Sequence, residues 1–258
     1  ATGRPVKWVE DRMEHFRAAT HGRESVHDVT LAADPDGRFT AIVNAYVTDI
    51  GGWNSPCGSS QLSSVVFCGP YRVRDARVVR TVTLSNKTPV GAYRGYGQPE
   101  ANFALEVLID RLARRLRVDP LDLRRRNMLR PDELPWKVPS GAVYDSGDYL
   151  CTLEMAAAAV DYAGHRERPR VLRPDGRLVG IGLAAYVERT GYASAKFLAA
   201  RGSQFGAHES VVLRANRSGT VDLYTGVSSF GQGSETAFAQ LAAEVLGMPY
   251  EAIRIHAG

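Results

Sequence analysis

The sequence predicts an α+β fold: two mixed-sheet subdomains with helices packed on strand hairpins. Three observations carry this. Strand-like runs come in hairpin pairs, 26–33 with 39–48 and 209–215 with 220–226. Helical segments fall between them without steady strand–helix alternation, which argues against a parallel α/β sheet. A stretch at 130–148, with Pro131, Pro135, Pro139, Gly141 and Gly147, divides the chain. The expected subdomains are 1–135 and 136–258.

Each element has a local reason. The first hairpin turns at Asp34-Pro35-Asp36-Gly37, where proline and glycine supply the φ values of a tight turn. Residues 59–68 read as a short helix and 73–85 as a strand. A helix over 99–116 follows from Ala104, Val107, Leu108, Leu112 and Leu116 at helical spacing, with Asn102, Glu106, Asp110 and Arg114 on the opposite face. Asp119 caps the next helix, to about Asn127, and Pro120 sits in its first turn. A helix is expected over 149–163 and a strand over 178–187. Asn216-Arg217-Ser218-Gly219 turns the second hairpin. Phe238, Leu241, Ala242 and Val245 mark a last helix, ended by Gly247 and Pro249. No internal repeat or low-complexity segment is visible.

Composition narrows the class. The chain has 258 residues, 44% hydrophobic and 23% charged, with a net charge of +4, as ordinary globular proteins do. Arg124-Arg125-Arg126 lies in a helical segment and reads as a solvated or ion-paired face, not a nucleic-acid site. No apolar run approaches the ~20 residues of a membrane span, and no signal peptide is recognised. Cys57, Cys68 and Cys151 lack zinc-ligand or redox spacing, and the sparse, odd count fits a reducing cytoplasm.

Two loops carry the chemistry. Gly91-Ala92-Tyr93-Arg94-Gly95-Tyr96-Gly97 precedes the long helix, and Phe230-Gly231-Gln232-Gly233-Ser234 precedes the last one. Glycine lets backbone approach a ligand closely, arginine offers a planar fork of donors to oxyanions, and a helix start adds oriented N–H groups. Gln232 can donate and accept. Two such loops suit a large cofactor gripped from two sides. The bland readings are a tight turn with Arg94 ion-paired and Tyr93 and Tyr96 in the core, and a plain strand-to-helix turn at Gln232. A nucleotide-binding module is a weaker reading, because the spacing departs from Gly-x-Gly-x-x-Gly.

The order and wording of the motifs resemble the large, molybdenum-binding subunit of the molybdenum hydroxylases: xanthine dehydrogenase, aldehyde oxidase and the carbon monoxide dehydrogenase large chain. The matching positions are Thr2-Gly3-Arg4-Pro5-Val6-Lys7, Asp11-Arg12 and Glu14, the Gly91–Gly97 loop with Pro99-Glu100-Ala101, Arg126-Asn127-Met128, and Gly231-Gln232-Gly233 with Thr236 and Gln240. They span nearly the whole chain, which reads as a central fragment. The resemblance implies a molybdenum–pyranopterin cofactor, in bacterial members usually the cytosine dinucleotide form. It implies oxidation of an aldehyde or N-heteroaromatic carbon with water as oxygen source. Iron–sulfur and flavin subunits would carry the electrons, with a homodimer of heterotrimers as one assembly the resemblance allows, and the three cysteines here can hold no cluster of their own. Arg94 and Gly95 match the loop beside the cofactor. Phe230, Gly231, Gln232 and Gly233 match the loop whose glutamine approaches the metal and the pterin. Tyr96 matches a substrate-facing aromatic, and Tyr192 a second one. No side chain is assigned as a metal ligand.

Departures from the family are informative. Copper-containing carbon monoxide dehydrogenases place cysteine after the loop arginine, where this chain has Gly95. Xanthine-oxidising members carry a substrate arginine where the ungapped match is Leu62. The family's general-base glutamate lies beyond these residues, so the 258-residue chain alone is expected to be inactive. The alternative reading is a scaffold that keeps the fold without the cofactor.

Overall fold

The computed structural model describes residues 2–52, 60–167, 171–172, 175–188 and 209–258. A short helix α1 (Arg12–Ala18) opens on a capping box between Asp11 and Glu14. Strands β1 (Ser25–Ala33) and β2 (Phe39–Asp49) then form the expected antiparallel hairpin, with Ser25 opposite Thr48. In its turn the Gly37 N–H donates to the Asp34 carbonyl at 2.9 Å. A crossover containing α2 (Ser60–Val65) brings in β3 (Asp75–Thr83), parallel to β2, so the sheet is mixed in the order β1-β2-β3.

Helix α3 (Gln98–Leu116) packs on this sheet through Ala101, Leu105, Ile109 and Ala113, an i, i+4 stripe. The expected face is thereby corrected. Val107 is 37% exposed, while Glu106, expected in solvent, is buried. Ala104, Leu112 and Leu116 are half-buried and pack against that core, and Leu108 is half-buried.

Glu106 is buried because it has partners. In α4 (Pro120–Asn127), Arg124 is fully buried and donates from Nε to Glu106 Oε2 at 2.9 Å, and the Tyr71 hydroxyl donates to Oε1 at 2.7 Å. Arg124 also lies 2.8 Å from Asp110 and donates to the Pro120 and Leu183 carbonyls at 3.1 and 3.0 Å. Burial pushes the Glu106 carboxyl above its usual range, against the pull of Arg124. The arginine triplet thus splits. Arg125 pairs with Glu154 and Asp122 on the surface, and Arg126 donates to the Asp36 carbonyl. Asn127 staples the hairpin: its Oδ1 accepts from Phe39 N–H at 2.7 Å, and its Nδ2 donates to the Gly37 carbonyl at 2.8 Å.

The 130–148 stretch holds a short hairpin of β4 (Trp136–Lys137) and β5 (Val143–Tyr144), with Val138, Ala142 and Tyr144 in the same core. The helix expected over 149–163 is two, α5 (Tyr149–Ala159) and α6 (Tyr162–Glu167), broken at Asp161 with φ +50°. In the 178–187 run β7 (Leu178–Val179) pairs with β6 (Val171–Leu172), and no other strand pairing is present there among the described residues. Ile181, Leu183, Ala185 and Val187 pack on the core at every second position.

The chain divides into compact units Ala1–Glu188 and Arg189–Gly258. In the second, β8 (Val211–Ala215) and β9 (Val221–Thr225) form a hairpin, a helix spans Ser234–Leu246, and β10 (Ile253–Ala257) lies parallel to β9. Both three-stranded sheets therefore have the same connections: hairpin, helical crossover, parallel strand. This repetition of topology has no counterpart in the sequence. The last helix buries Ala239 and Ala243, whereas Leu241 and Val245 are 60% and 83% exposed. The expected apolar marks locate that helix but not its buried side. Gly247, at φ +63°, ends it as expected, and Met248 N–H returns to the Ala243 carbonyl at 3.0 Å.

Arg124→Met strands Glu106 in the core and should cost about 3–5 kcal/mol, with much of it recovered when Glu106→Leu is added. Arg125→Met breaks exposed pairs and should cost less than about 1 kcal/mol. Urea midpoints of the three variants in the complete subunit check the ranking.

Candidate functional site

The first loop is shaped by its glycines. Gly95 and Gly97 take φ +76° and +84°, a region open to glycine at little cost. Tyr96 N–H donates to the Tyr93 carbonyl at 2.7 Å, and Gln98 N–H to the Gly95 carbonyl at 2.9 Å. Gly97 caps α3 without a side chain, and its carbonyl accepts from the Ser63 hydroxyl at 2.6 Å. A β-carbon at Gly91 would sit 2.6 Å from Thr20 Oγ1, so glycine is required for that close approach.

The segment 20–23 runs beside the loop. Gly91 N–H donates to the His21 carbonyl at 3.0 Å. Arg23 donates from Nη1 to the Tyr93 carbonyl at 3.4 Å and from Nη2 to the Arg94 carbonyl. Its guanidinium carbon lies 5.4 Å from the Tyr93 ring centroid, and its Nη1 lies 3.9 Å from Glu100. No role is legible for Arg23 in the sequence, where Glu100 stands only within a motif. Nearby, His27 stacks on Tyr46 at 4.8 Å and hydrogen-bonds Asn44, and burial holds its pKa below the usual imidazole value.

Arg94 is exposed, and its side chain has no hydrogen bond or ion pair among the described residues. Tyr93 is 69% exposed, and Tyr96 is half-buried. The bland reading, with Arg94 ion-paired and Tyr93 and Tyr96 in the core, does not describe Arg94 or Tyr93. Behind it, a groove of about 470 Å³ runs along α3 between Gln98, Phe103, Val107 and the facing Leu183, Tyr186 and Glu188. Gln98 Nε2 donates across it to Glu188 at 2.8 Å. The groove was not read from the sequence, because Phe103 and Val107 are apolar residues facing outward on a helix whose core stripe lies elsewhere.

The second loop lies in the second unit. Gly231 and Gly233 take φ +100° and +77°, and a β-carbon at either would meet nothing within 4 Å. Gln232 folds back so that Oε1 accepts from the Phe230 N–H at 2.8 Å. Its Nε2 then remains a donor with no partner among the described residues. Gly233 caps the last helix with no side-chain hydrogen bond, leaving the first-turn N–H groups uncapped by any side chain. Phe230 is 78% exposed. Tyr192 lies outside the described residues; Leu62 lies on the α2 backbone.

Among the described residues no cluster of three or more histidine, cysteine or acidic side chains could hold a metal ion. Each loop by itself offers close-approach backbone and a helix start, with a guanidinium in the first and an amide donor in the second, and these groups suit an anionic ligand better than a bare metal ion.

Molybdopterin cofactor-binding domains match residues 1–128 and residues 155–258. The chain belongs to this family. It is 35% identical over 259 residues to the nicotine 6-hydroxylase large subunit of Paenarthrobacter nicotinovorans, covering 98% of this chain and 31% of that one. It is 33% identical to the carbon monoxide dehydrogenase large chain of Hydrogenophaga pseudoflava, covering 99% of this chain and 33% of that one. The crystal structure of quinoline 2-oxidoreductase from Pseudomonas putida 86 superposes with a TM-score of 0.85 at 36% identity, covering 99% of this chain and 33% of that one. The chain thus spans about a third of the length of these relatives, two of which are named as a large subunit or a large chain. No described helix is long and apolar enough to cross a membrane.

Gly91→Ala must displace Thr20 and should destabilise the complete subunit by roughly 1–3 kcal/mol. In a Thr20→Gly background the same change should cost much less, so a double-mutant cycle by urea denaturation checks the contact.

Proposed function

We propose that this chain is the cofactor-gripping part of a molybdenum hydroxylase large subunit, and that the complete enzyme hydroxylates an N-heteroaromatic or aldehyde carbon with water as oxygen source. The observation that carries the reading is the pair of glycine loops, each opening a helix and each presenting a donor, Arg94 or Gln232, that has no partner among the described residues. The cofactor would be the molybdenum–pyranopterin in its cytosine dinucleotide form, whose phosphates suit a guanidinium and a helix start. When bound, it supplies the two-electron oxidation of the substrate carbon.

The protein's part is binding and orientation. Arg94 would neutralise anionic charge on the cofactor, with Gly95 and Gly97 letting the backbone come close. Gln232, its oxygen held by the Phe230 N–H, would direct Nε2 at a cofactor acceptor. Tyr96 would stack on the substrate ring, as would Tyr192 in the second unit. The heteroaromatic reading is favoured over carbon monoxide by Gly95, which provides no thiolate for copper, and by relatives named for nicotine and quinoline. Iron–sulfur and flavin subunits in the cytoplasm would take the electrons, and two heterotrimers could pair as a dimer. The sequence-based division at 135/136 falls between the two matched segments.

Metal and pterin analysis of the complete subunit separates this reading from a cofactor-free scaffold, which would contain neither. Gln232→Ala should lose a hydrogen bond to a charged group, roughly 1.5–3 kcal/mol, or about ten- to a hundredfold in cofactor affinity. Tyr96→Ala should keep its molybdenum and lose about 1 kcal/mol of substrate stacking, seen as a raised KM. Full molybdenum in the Gln232 variant and depletion in the Tyr96 variant would reverse the two roles.

A further inference from the structure

We propose that Arg23 is the positioning residue of the Arg94 loop, and that Glu100 holds its guanidinium in place. The proposal rests on the cofactor reading above for what the loop is positioned to do, but its geometry stands by itself.

Arg23 reaches two consecutive carbonyls of the loop, those of Tyr93 and Arg94, from 70 residues away in sequence. Those carbonyls belong to the two peptides on either side of the Arg94 α-carbon, which set the direction of its side chain. The same guanidinium lies over the face of the Tyr93 ring. Arg23 does this from a backbone at φ +76°, which a residue with a β-carbon seldom adopts. A local fold held there is held by its surroundings, and the neighbouring contact is visible: His21 and Gly91 are joined by a backbone hydrogen bond, fixing the register of the segment against the loop.

Glu100 completes the arrangement. Its side chain is 8% exposed, and its Oε2 has no hydrogen-bond partner among the described residues yet lies 3.9 Å from Arg23 Nη1. A buried carboxylate without a hydrogen bond is costly unless a cation answers it, and the guanidinium facing it is that of Arg23. Arg23 therefore stands between a fixed anion in the first turn of α3 and two carbonyls of the loop that precedes it. Arginine suits this place because its planar fork serves several acceptors at once, which a lysine ammonium does with less direction. The Arg94 side chain is thereby left without a hydrogen bond or ion pair among the described residues, free to face a ligand.

The test uses the complete subunit in its native complex, with Arg23→Gln, Arg23→Lys and Glu100→Gln. Hydrogen–deuterium exchange is followed in peptides covering 91–97 and, as a control, 101–113 in α3. Exchange at 91–97 should rise roughly tenfold or more in Arg23→Gln, with a smaller rise in the lysine variant, while the α3 peptide stays as in wild type. Molybdenum content should fall in the same order. Glu100→Gln, close in shape to the native residue, should loosen the same peptide and serves if Arg23→Gln does not fold. Unchanged exchange at 91–97, or an equal rise throughout α3, would overturn the positioning role. The two readings fail differently: wild-type enzyme without molybdenum would sink the cofactor reading, while the exchange measurement would still decide the role of Arg23.

Discussion

The buried ion pair between Glu106 and Arg124 is the constraint on which the first unit depends. It fixes α3 against α4 and, through the Leu183 carbonyl, against the segment that follows β7. Buried pairs add little net stability over apolar contacts. Their value here is direction. Glu106 is hydrogen-bonded by Tyr71 and Arg124 at once, so α3 has one rotation about its axis. That rotation turns Ala101, Leu105, Ile109 and Ala113 inward and leaves Phe103 and Val107 to line the groove. It also sets where α3 begins, and α3 begins at the end of the Arg94 loop.

The loop is therefore a consequence of packing as much as of glycine. Its two left-handed glycines permit the path, the Ser63 hydroxyl and the segment 20–23 select it, and the donors that face outward are those the fold does not consume. The second unit reaches a similar end by simpler means: a glycine-flanked Gln232 bonded to its own loop, before an uncapped helix start. In both units a hairpin and a parallel third strand frame the helix that follows or contains the connection.

What the sequence makes legible is what local chemistry decides. The Asp34–Gly37 and Asn216–Gly219 turns, the Asp119 cap with Pro120, and the Gly247 stop were all readable, because each rests on residues within a few positions of one another. Both glycine loops were readable for the same reason. The buried face of α3 was not, because it is decided by Tyr71 and Arg124, 35 and 18 positions from Glu106. Asn127 was quoted as part of a motif, but its staple to Phe39 spans 88 residues. The last helix misled in the other direction. Its largest apolar residues, Leu241 and Val245, are exposed, and its small ones, Ala239 and Ala243, are buried. Small residues at a packing face give no hydrophobic signal strong enough to compete with leucine and valine.

The central claim is that the Arg94 and Gln232 loops hold the molybdenum–pyranopterin. The most direct measurement is a crystal structure of the complete subunit purified with its cofactor. The account predicts cofactor density in hydrogen-bond contact with residues 93–97 and with 230–234, with the Arg94 guanidinium and Gln232 Nε2 among the donors. A cofactor bound elsewhere, with both loops facing solvent or protein alone, would contradict it.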